Sequence, residues 1–412
     1  MSDPGRRRVA ITGLGCVSGL GQGLAANWAA AVEARGAIHR IARRFADDEA
    51  LAWSGPAAIC APLDAQPLTA DLGPRALSNL DPQAAFAVTA THEALAQAGL
   101  IGHPVLNERT AVVYGGGSGG NLSVEEGYGR LLHKRAGGVH PLTVPKSMLS
   151  ATPSHISMLF GIRGTVFALS SACASGAHAI SEAMWMIRSG RCEAAICGGS
   201  EAAVTFGSWR GWEALKAMAP DICRPFSADR KGMVLGEGAA TFVLEDWDHA
   251  TSRGAMILGE LLGSGASADA HHLTAPHGQG AVRALWLAHE DAGVEIGAPA
   301  LISTHGTGTP LNDKTEVAAL REVYGERLEE SLLIATKSAH GHLIGAGGAL
   351  ELVLGLEALR AGVAPPILNW TGADPECSAP LALEATPIAY DTLVSSSFAF
   401  GGLNAVLIAR RH

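Results

Sequence analysis

Ten short runs rich in Val, Ile, Leu and Ala alternate with helical patterns along this chain, and that alternation constrains its fold more than any other feature. The β-type runs lie at 8–12, 111–114, 166–170, 194–197 and 241–244, then at 257–262, 301–304, 332–335, 393–397 and 405–409. Each closes on glycine or a polar turn. Apolar residues at helical spacing fill 82–98, 177–189, 280–292, 313–324 and 346–360. Strands that alternate with helices predict an α/β fold, a mostly parallel sheet covered on both faces. The same grammar occurs before and after residue 250 with no Pro- or Ser-rich linker between. Two similar halves, 1–250 and 251–412, packed on each other are therefore expected. The most loop-like stretches are 40–80 and 115–150, lengths typical of functional insertions.

Composition limits the function classes. A chain of 412 residues that is 48% apolar and 17% charged can bury a large core and is not a disordered chain. A net charge of −9 argues against a nucleic-acid partner. The seven cysteines (16, 60, 173, 192, 197, 223, 377) form no C-x-x-C pair, so a disulfide framework or structural zinc site is a poor reading and a reducing compartment a good one. The basic residues 6–8 run into a short apolar stretch and then glycines, and no stretch of about twenty apolar residues occurs. We expect no signal peptide, no membrane span and a soluble cytoplasmic protein.

Cys173 is the leading candidate for chemistry. It ends the run Val166-Phe167-Ala168-Leu169-Ser170-Ser171-Ala172 and opens the small-residue stretch Ala174-Ser175-Gly176-Ala177, with Gly190 closing the helix that follows. A thiol at a strand-to-helix junction faces unpaired N–H groups and the positive end of the helix dipole, which favour thiolate. His305 and His342 each follow a β-type run and sit beside glycine, at the strand ends where open α/β sheets place their sites. His340 with His342 makes a weak metal pair, because no acidic or cysteine ligand stands at fixed spacing, and no metal is expected. His271-His272 reads as loop. Phe398-Ala399-Phe400-Gly401-Gly402 places two aromatics beside a glycine hinge in a chain with 5% aromatics. Core packing is one reading; the other makes Phe400 a movable plug whose N–H faces an oxyanion. Gly115-Gly116-Gly117-Ser118-Gly119-Gly120 fits a dinucleotide-binding fingerprint in part, but it lacks an immediate amphipathic helix and the acidic residue about 20 positions on. Close backbone packing is the better account.

Taken together, Ser171-Ala172-Cys173-Ala174-Ser175-Gly176, Thr304-His305-Gly306-Thr307-Gly308-Thr309-Pro310, Lys337-Ser338 with Gly341-His342, and Phe400-Gly401-Gly402 with Asn404 resemble the signature set of the β-ketoacyl-acyl-carrier-protein synthases, elongating type II form. The block from Cys223-Arg224-Pro225-Phe226-Ser227 to Gly238 adds to the likeness, which runs from about residue 8 to 410 in family order. The resemblance implies a thiolase fold of two βαβαβαββ halves in five layers, α-β-α-β-α. It implies an acyl chain carried on Cys173, and decarboxylation of malonyl-carrier protein beside His305 and His342. It further implies an oxyanion hole of the Cys173 and Phe400 N–H groups, with Phe398 beside the gate. Lys337 and Glu351 would orient the site, Thr307 and Thr309 would hold the pantetheine arm, and Asp269 would couple to the gate. No cofactor is implied beyond the phosphopantetheine of acyl carrier protein. The implied partners are that carrier and either a second copy or a chain-length-factor homologue.

Rival classes differ at named positions. A thiolase is expected to carry a second cysteine near the C-terminus, and 401–404 has none. An initiating synthase would have Asn at His342, and a silent chain-length partner would lack the nucleophile. Departures from the family point to the substrate. Ser118 replaces a bulky aliphatic residue expected in the acyl pocket, which suggests a longer, stiffer or differently shaped chain. Trp209-Arg210-Gly211-Trp212 and Ser227 resemble the specialised nodulation- and polyene-type branch. Basic residues ahead of Leu80-Asp81 thin to Arg75, so an unusual carrier dock is expected.

Overall fold

The computed structural model describes residues 6–64, 66–73, 76–77, 79–133 and 137–412; Arg75 lies outside them. The first series of strands is β1 (Val9–Ser18), β2 (Thr110–Gly115), β3 (Val166–Leu169), β4 (Ala194–Glu201) and β5 (Gly238–Asp246). The second is β6 (Gly259–Ala268), β7 (Leu301–Ser303), β8 (Leu332–Ile334), β9 (Thr392–Ala399) and β10 (Leu403–Arg411). Helices α1 (Pro82–Gln97), α2 (Ala151–Phe160) and α3 (Ser175–Arg188) separate the first set, and α4 (Gly278–Ala292), α5 (Pro310–Tyr324) and α6 (Gly347–Ala361) the second.

Strand order is β3-β2-β4-β5-β1-β6-β10-β9-β7-β8, which reads as one five-strand arrangement followed by its mirror in sequence. In each half the two outer pairings are parallel and the two nearer the middle antiparallel. The halves meet where β1 pairs β6, with Ala10 opposite Glu260 and Ile11 opposite Gly259. Both halves thus follow the expected βαβαβαββ pattern.

Burial explains the layering. The α6 helix buries residues on every side, from Gly347 through Leu359, and α3 buries Ala177, Ile180, Met184 and Ile187. Helices apolar over most of their circumference belong in an interior layer, and these two pack on each other and on both halves of the sheet. The outer helices α1, α2, α4 and α5 cover the remaining faces. Asp81 caps α1 by accepting from the Gln83 N–H at 3.1 Å, with Pro82 in the first turn, where its missing donor costs nothing. Gly190, at φ 73°, follows the last turn of α3 as expected.

Three segments differ from the sequence reading. Part of 40–80 is an antiparallel hairpin, His39–Arg44 against Ala52–Ala58, with Ile41 the one buried residue of its first strand. Its charged, exposed positions hid the strand period. In 115–150 a helix, Asn121–Tyr128, does follow the glycine run. The α2 helix went unread because Thr152, Pro153, Ser154 and Ser157 interrupt its apolar stripe, although Pro153 fits the first turn.

Candidate active site

The ends of the parallel strands converge on one cavity of about 380 Å³. After β3 the chain turns through Ala172, held at φ 50°, before Cys173 and α3. A left-handed alanine costs roughly 1–2 kcal/mol, so the packed junction imposes this sharp elbow. Cys173 lines the cavity with His305, His342, Phe398 and Phe400. His305 follows β7, and His342 follows β8 and the one-turn helix Lys337–His340. The ligand atoms of Cys173, His305 and His342 all lie within 4.8 Å of one another, so these three could also hold one metal ion. The two imidazoles meet edge to face, with ring centroids 5.4 Å apart.

Behind them lies a buried cation. Lys337 Nζ is ion-paired to Glu351 and donates to the His305 carbonyl at 2.5 Å. It also stands 3.3 Å from His305 Nδ1. An ammonium only donates, so Nδ1 accepts and the His305 proton resides on Nε2. Burial, then the Lys337 charge, holds both His305 and His342 well below the usual imidazole range, so both rings are neutral at pH 7. Burial raises Glu351 to about 7 against the pull of Lys337.

The thiol departs from the sequence expectation. Burial pushes Cys173 up to about 11, while Lys337 and the backbone N–H groups of Phe400 and of Cys173 itself pull it back. The helix start does not offset desolvation, so the resting group is a thiol rather than a thiolate. The same two N–H groups bracket the sulfur.

The segment 398–402 is tied to the loop 269–277. Gly401 N–H donates to the Leu273 carbonyl at 2.7 Å, and Asp269 N–H to the Gly402 carbonyl at 2.8 Å. Asp269 accepts from Asn404 Nδ2 at 2.7 Å and from the His277 N–H at 2.9 Å. Trp212 packs against the Phe400 ring, with centroids 5.7 Å apart. Thr307 and Thr309 line the cavity, their hydroxyls 2.9 Å apart. Ser118 does not line it: its hydroxyl donates to Glu201 at 2.6 Å and accepts from Asn121 Nδ2 at 2.9 Å. The hydroxyl is spent inside the protein. His340 is likewise spent, on Thr336 and the Gly341 carbonyl.

A family model described as β-ketoacyl synthase, N-terminal domain, matches residues 6–250, and its C-terminal companion matches 258–371. The chain belongs to the β-ketoacyl synthase family. This synthase is 40% identical over 410 residues to nodulation protein E of Rhizobium sp. strain N33, covering 98% of this chain and 99% of that one. It is 33% identical over 425 residues to the 3-oxoacyl-[acyl-carrier-protein] synthase 2 of Synechocystis, covering both chains fully. A solved structure described as the ishigamide ketosynthase/chain length factor superposes with TM-score 0.90 at 32% identity, covering 99% of this chain and 100% of that one.

Sequence reasoning missed the carboxylates that fix the histidine loop. Glu316 accepts from the His305 N–H at 2.6 Å and the Gly306 N–H at 2.8 Å, and Asp313 accepts from the Gly308 N–H at 3.1 Å. Both are buried on the inner face of α5. Two acids three apart on the apolar side of a helix were the available signal. Trp212 was noted for its branch and not for the Phe400 ring it touches.

Proposed function

We propose that the protein is an elongating β-ketoacyl-acyl-carrier-protein synthase, joining an acyl chain on Cys173 to a malonyl unit with loss of CO₂. The observation that carries this reading is the convergence of one thiol, two neutral imidazoles and two backbone N–H groups in one cavity. The Cys173 sulfur attacks the acyl thioester, the carrier's pantetheine sulfur leaves, and the proton of the Cys173 thiol passes to it. The Cys173 and Phe400 N–H groups receive the oxyanion formed on the way. In the second step malonyl-carrier protein loses CO₂, and the thioester oxygen becomes an enolate held by the N–H groups of His305 and His342. Its carbon attacks the acyl carbonyl, the bond to Cys173 breaks, and the thiolate takes up a proton. Each positioned donor of this kind is worth about 3 kcal/mol at the barrier. Burial, and then the Lys337 charge, keeps both rings neutral, hence donors rather than acids, and Glu351 balances that charge. Asp269 ties the gate to its loop. Thr307 and Thr309 face the arm of the carrier, and the scheme needs no cofactor beyond that arm's phosphopantetheine.

A second reading concerns the pathway. Nodulation protein E stands at 40% identity against 33% for the fatty-acid-type relative, and a ketosynthase/chain length factor pair superposes closely. These favour a specialised synthase for unsaturated or polyene chains, working in a heterodimer. All seven cysteines are unpaired, and no helix among the described residues is long and apolar enough to cross a membrane. We place the protein in the cytoplasm on that support.

The test incubates the protein with malonyl-carrier protein and a panel of saturated and dienoyl carriers, reading products by mass. Turnover of saturated medium-length chains with none on dienoyl carriers rejects the polyene reading. Cys173→Ser is expected to abolish the acyl-enzyme, whereas His342→Ala should acylate and fail to decarboxylate. Acyl transfer at the wild-type rate in Cys173→Ser would refute the nucleophile assignment.

A further inference from the structure

Glu201, the last residue of β4, is fully buried, yet among the described residues none of its hydrogen bonds comes from a cationic side chain. Instead its carboxylate gathers donors from two glycine loops on opposite halves of the molecule. From the first half come the Gly117 N–H at 2.7 Å and the Ser118 hydroxyl at 2.6 Å. From the second comes the Gly345 N–H at 3.1 Å. The loops are nested so tightly that a Cβ on Gly345 would lie 2.2 Å from the Gly117 nitrogen.

The second loop is also strained. Ile344, between His342 and the Gly345 donor, is held at φ 41°, a region a β-branched residue avoids. Strain of this kind persists only where the surroundings enforce it. The Gly345 N–H bond to Glu201 directly follows that residue. Cys173, by contrast, is set by its own elbow and by the Phe400 N–H, neither of which touches Glu201 through a hydrogen bond. Glu201 does lie within electrostatic reach of the thiol and raises it.

We infer that Glu201 is a positioning residue for condensation: it pins the strained loop that carries His342 to the glycine turn beside Cys173, and so sets His342 for the malonyl step without serving the acyl-transfer step. The inference rests on the roles proposed above for Cys173 and His342. Its distinctive consequence is a split between the two half-reactions.

The experiment compares wild type, Glu201→Gln and Glu201→Asp. Acyl-enzyme formation is followed by mass, and condensation by β-ketoacyl product from the preloaded enzyme. Wild type is measured first: if it neither acylates nor condenses, the proposed function itself fails, independently of Glu201. On a working wild type, both variants are expected to acylate within about threefold of wild type and to lose condensation roughly tenfold to a hundredfold, as a misplaced reacting group does. Burial holds Glu201 up at about 7, so above that pH Glu201→Gln removes a charge near Cys173 and should alkylate faster, whereas Glu201→Asp keeps a carboxyl and shortens the reach. Parallel loss of both half-reactions in both variants, a failure of either to fold included, would overturn the inference. So would loss in Glu201→Gln with none in Glu201→Asp, which would make the effect one of charge.

Discussion

At the scale of single residues, burial decides the chemistry more than position in the chain does. Cys173 sits where a helix dipole favours thiolate, yet a thiol held at about 11 is ionised to roughly one part in ten thousand at pH 7. Alkylation of the free enzyme by iodoacetamide is therefore expected to climb about tenfold per pH unit from neutral into the alkaline range, with no plateau near pH 7. A plateau there would show that the pull of Lys337 and the backbone donors outweighs desolvation. Lys337→Met tests the same balance in both directions. Lys337 lowers Cys173, so its loss should raise the thiol further and slow alkylation at fixed pH. Burial first, and then Lys337, lowers His305 and His342, so loss of Lys337 lets both imidazoles rise while burial still holds them down. Condensation in the variant should then be more sensitive to acid than in the wild type. The nucleophile and both histidines were legible because their types and glycine neighbours are local facts. The thiol's high pKa, the left-handed Ala172 and the carboxylate of Glu201 were not, because each is created by what packs against it.

Elements carry the next set of constraints. Strands and helices with uninterrupted apolar period were readable, since burial on both faces leaves long Val- and Ala-rich runs such as β1 and β5. The hairpin at His39–Arg44 was not, because an exposed strand of Arg and His has no apolar alternation to read. The segment around Phe400 was half legible: Phe400, its glycines and Asp269 stood out, but the bonds from the 269–277 loop that hold them, through the Leu273 carbonyl and the His277 N–H, did not. Gly402 shows how tight that hold is. Its φ is 68°, and a Cβ there would lie 2.5 Å from the Asp269 Cβ. Gly402→Ala is expected to cost about 1–3 kcal/mol in thermal unfolding, and to break the tie between gate and loop. Acylation should then fall, because the proposed scheme places the Phe400 N–H at its oxyanion, and turnover should fall with it. Unchanged rates with a lowered melting temperature would mean that the gate does not depend on Asp269.

The whole molecule is an internal repeat whose halves share one sheet, and that closure leaves its outermost strands as edges. At one end, β8 is flanked by a bridge from Leu333 to Leu381. At the other, β3 pairs only with β2 among the described residues, and all four of its residues are half-buried. A free, apolar edge strand is a liability that folded proteins cover. Two large apolar side chains of this half are exposed: Met158 on α2, which packs on β3, is 66% exposed, and Leu132 is 71% exposed. An open edge strand with an exposed apolar side chain packed beside it is a surface that assembly would cover. We expect a second copy, or a homologous chain-length partner, to cover this edge. Light scattering should give the wild type alone at twice the mass of one chain, or a one-to-one complex with the partner. Exposed substitutions cost an isolated chain little, within about 0.5 kcal/mol. Leu132→Glu with Met158→Glu should therefore leave a folded single chain, since desolvating two carboxylates is penalised only if the surface is buried by assembly. A wild type that runs as a single chain with and without a partner, at full activity, would place the covered edge elsewhere. The repeat itself was visible in the spacing of strands, but the edge was not: the run at 166–170 reads as buried from sequence, and only the order of strands reveals that one side of it is open.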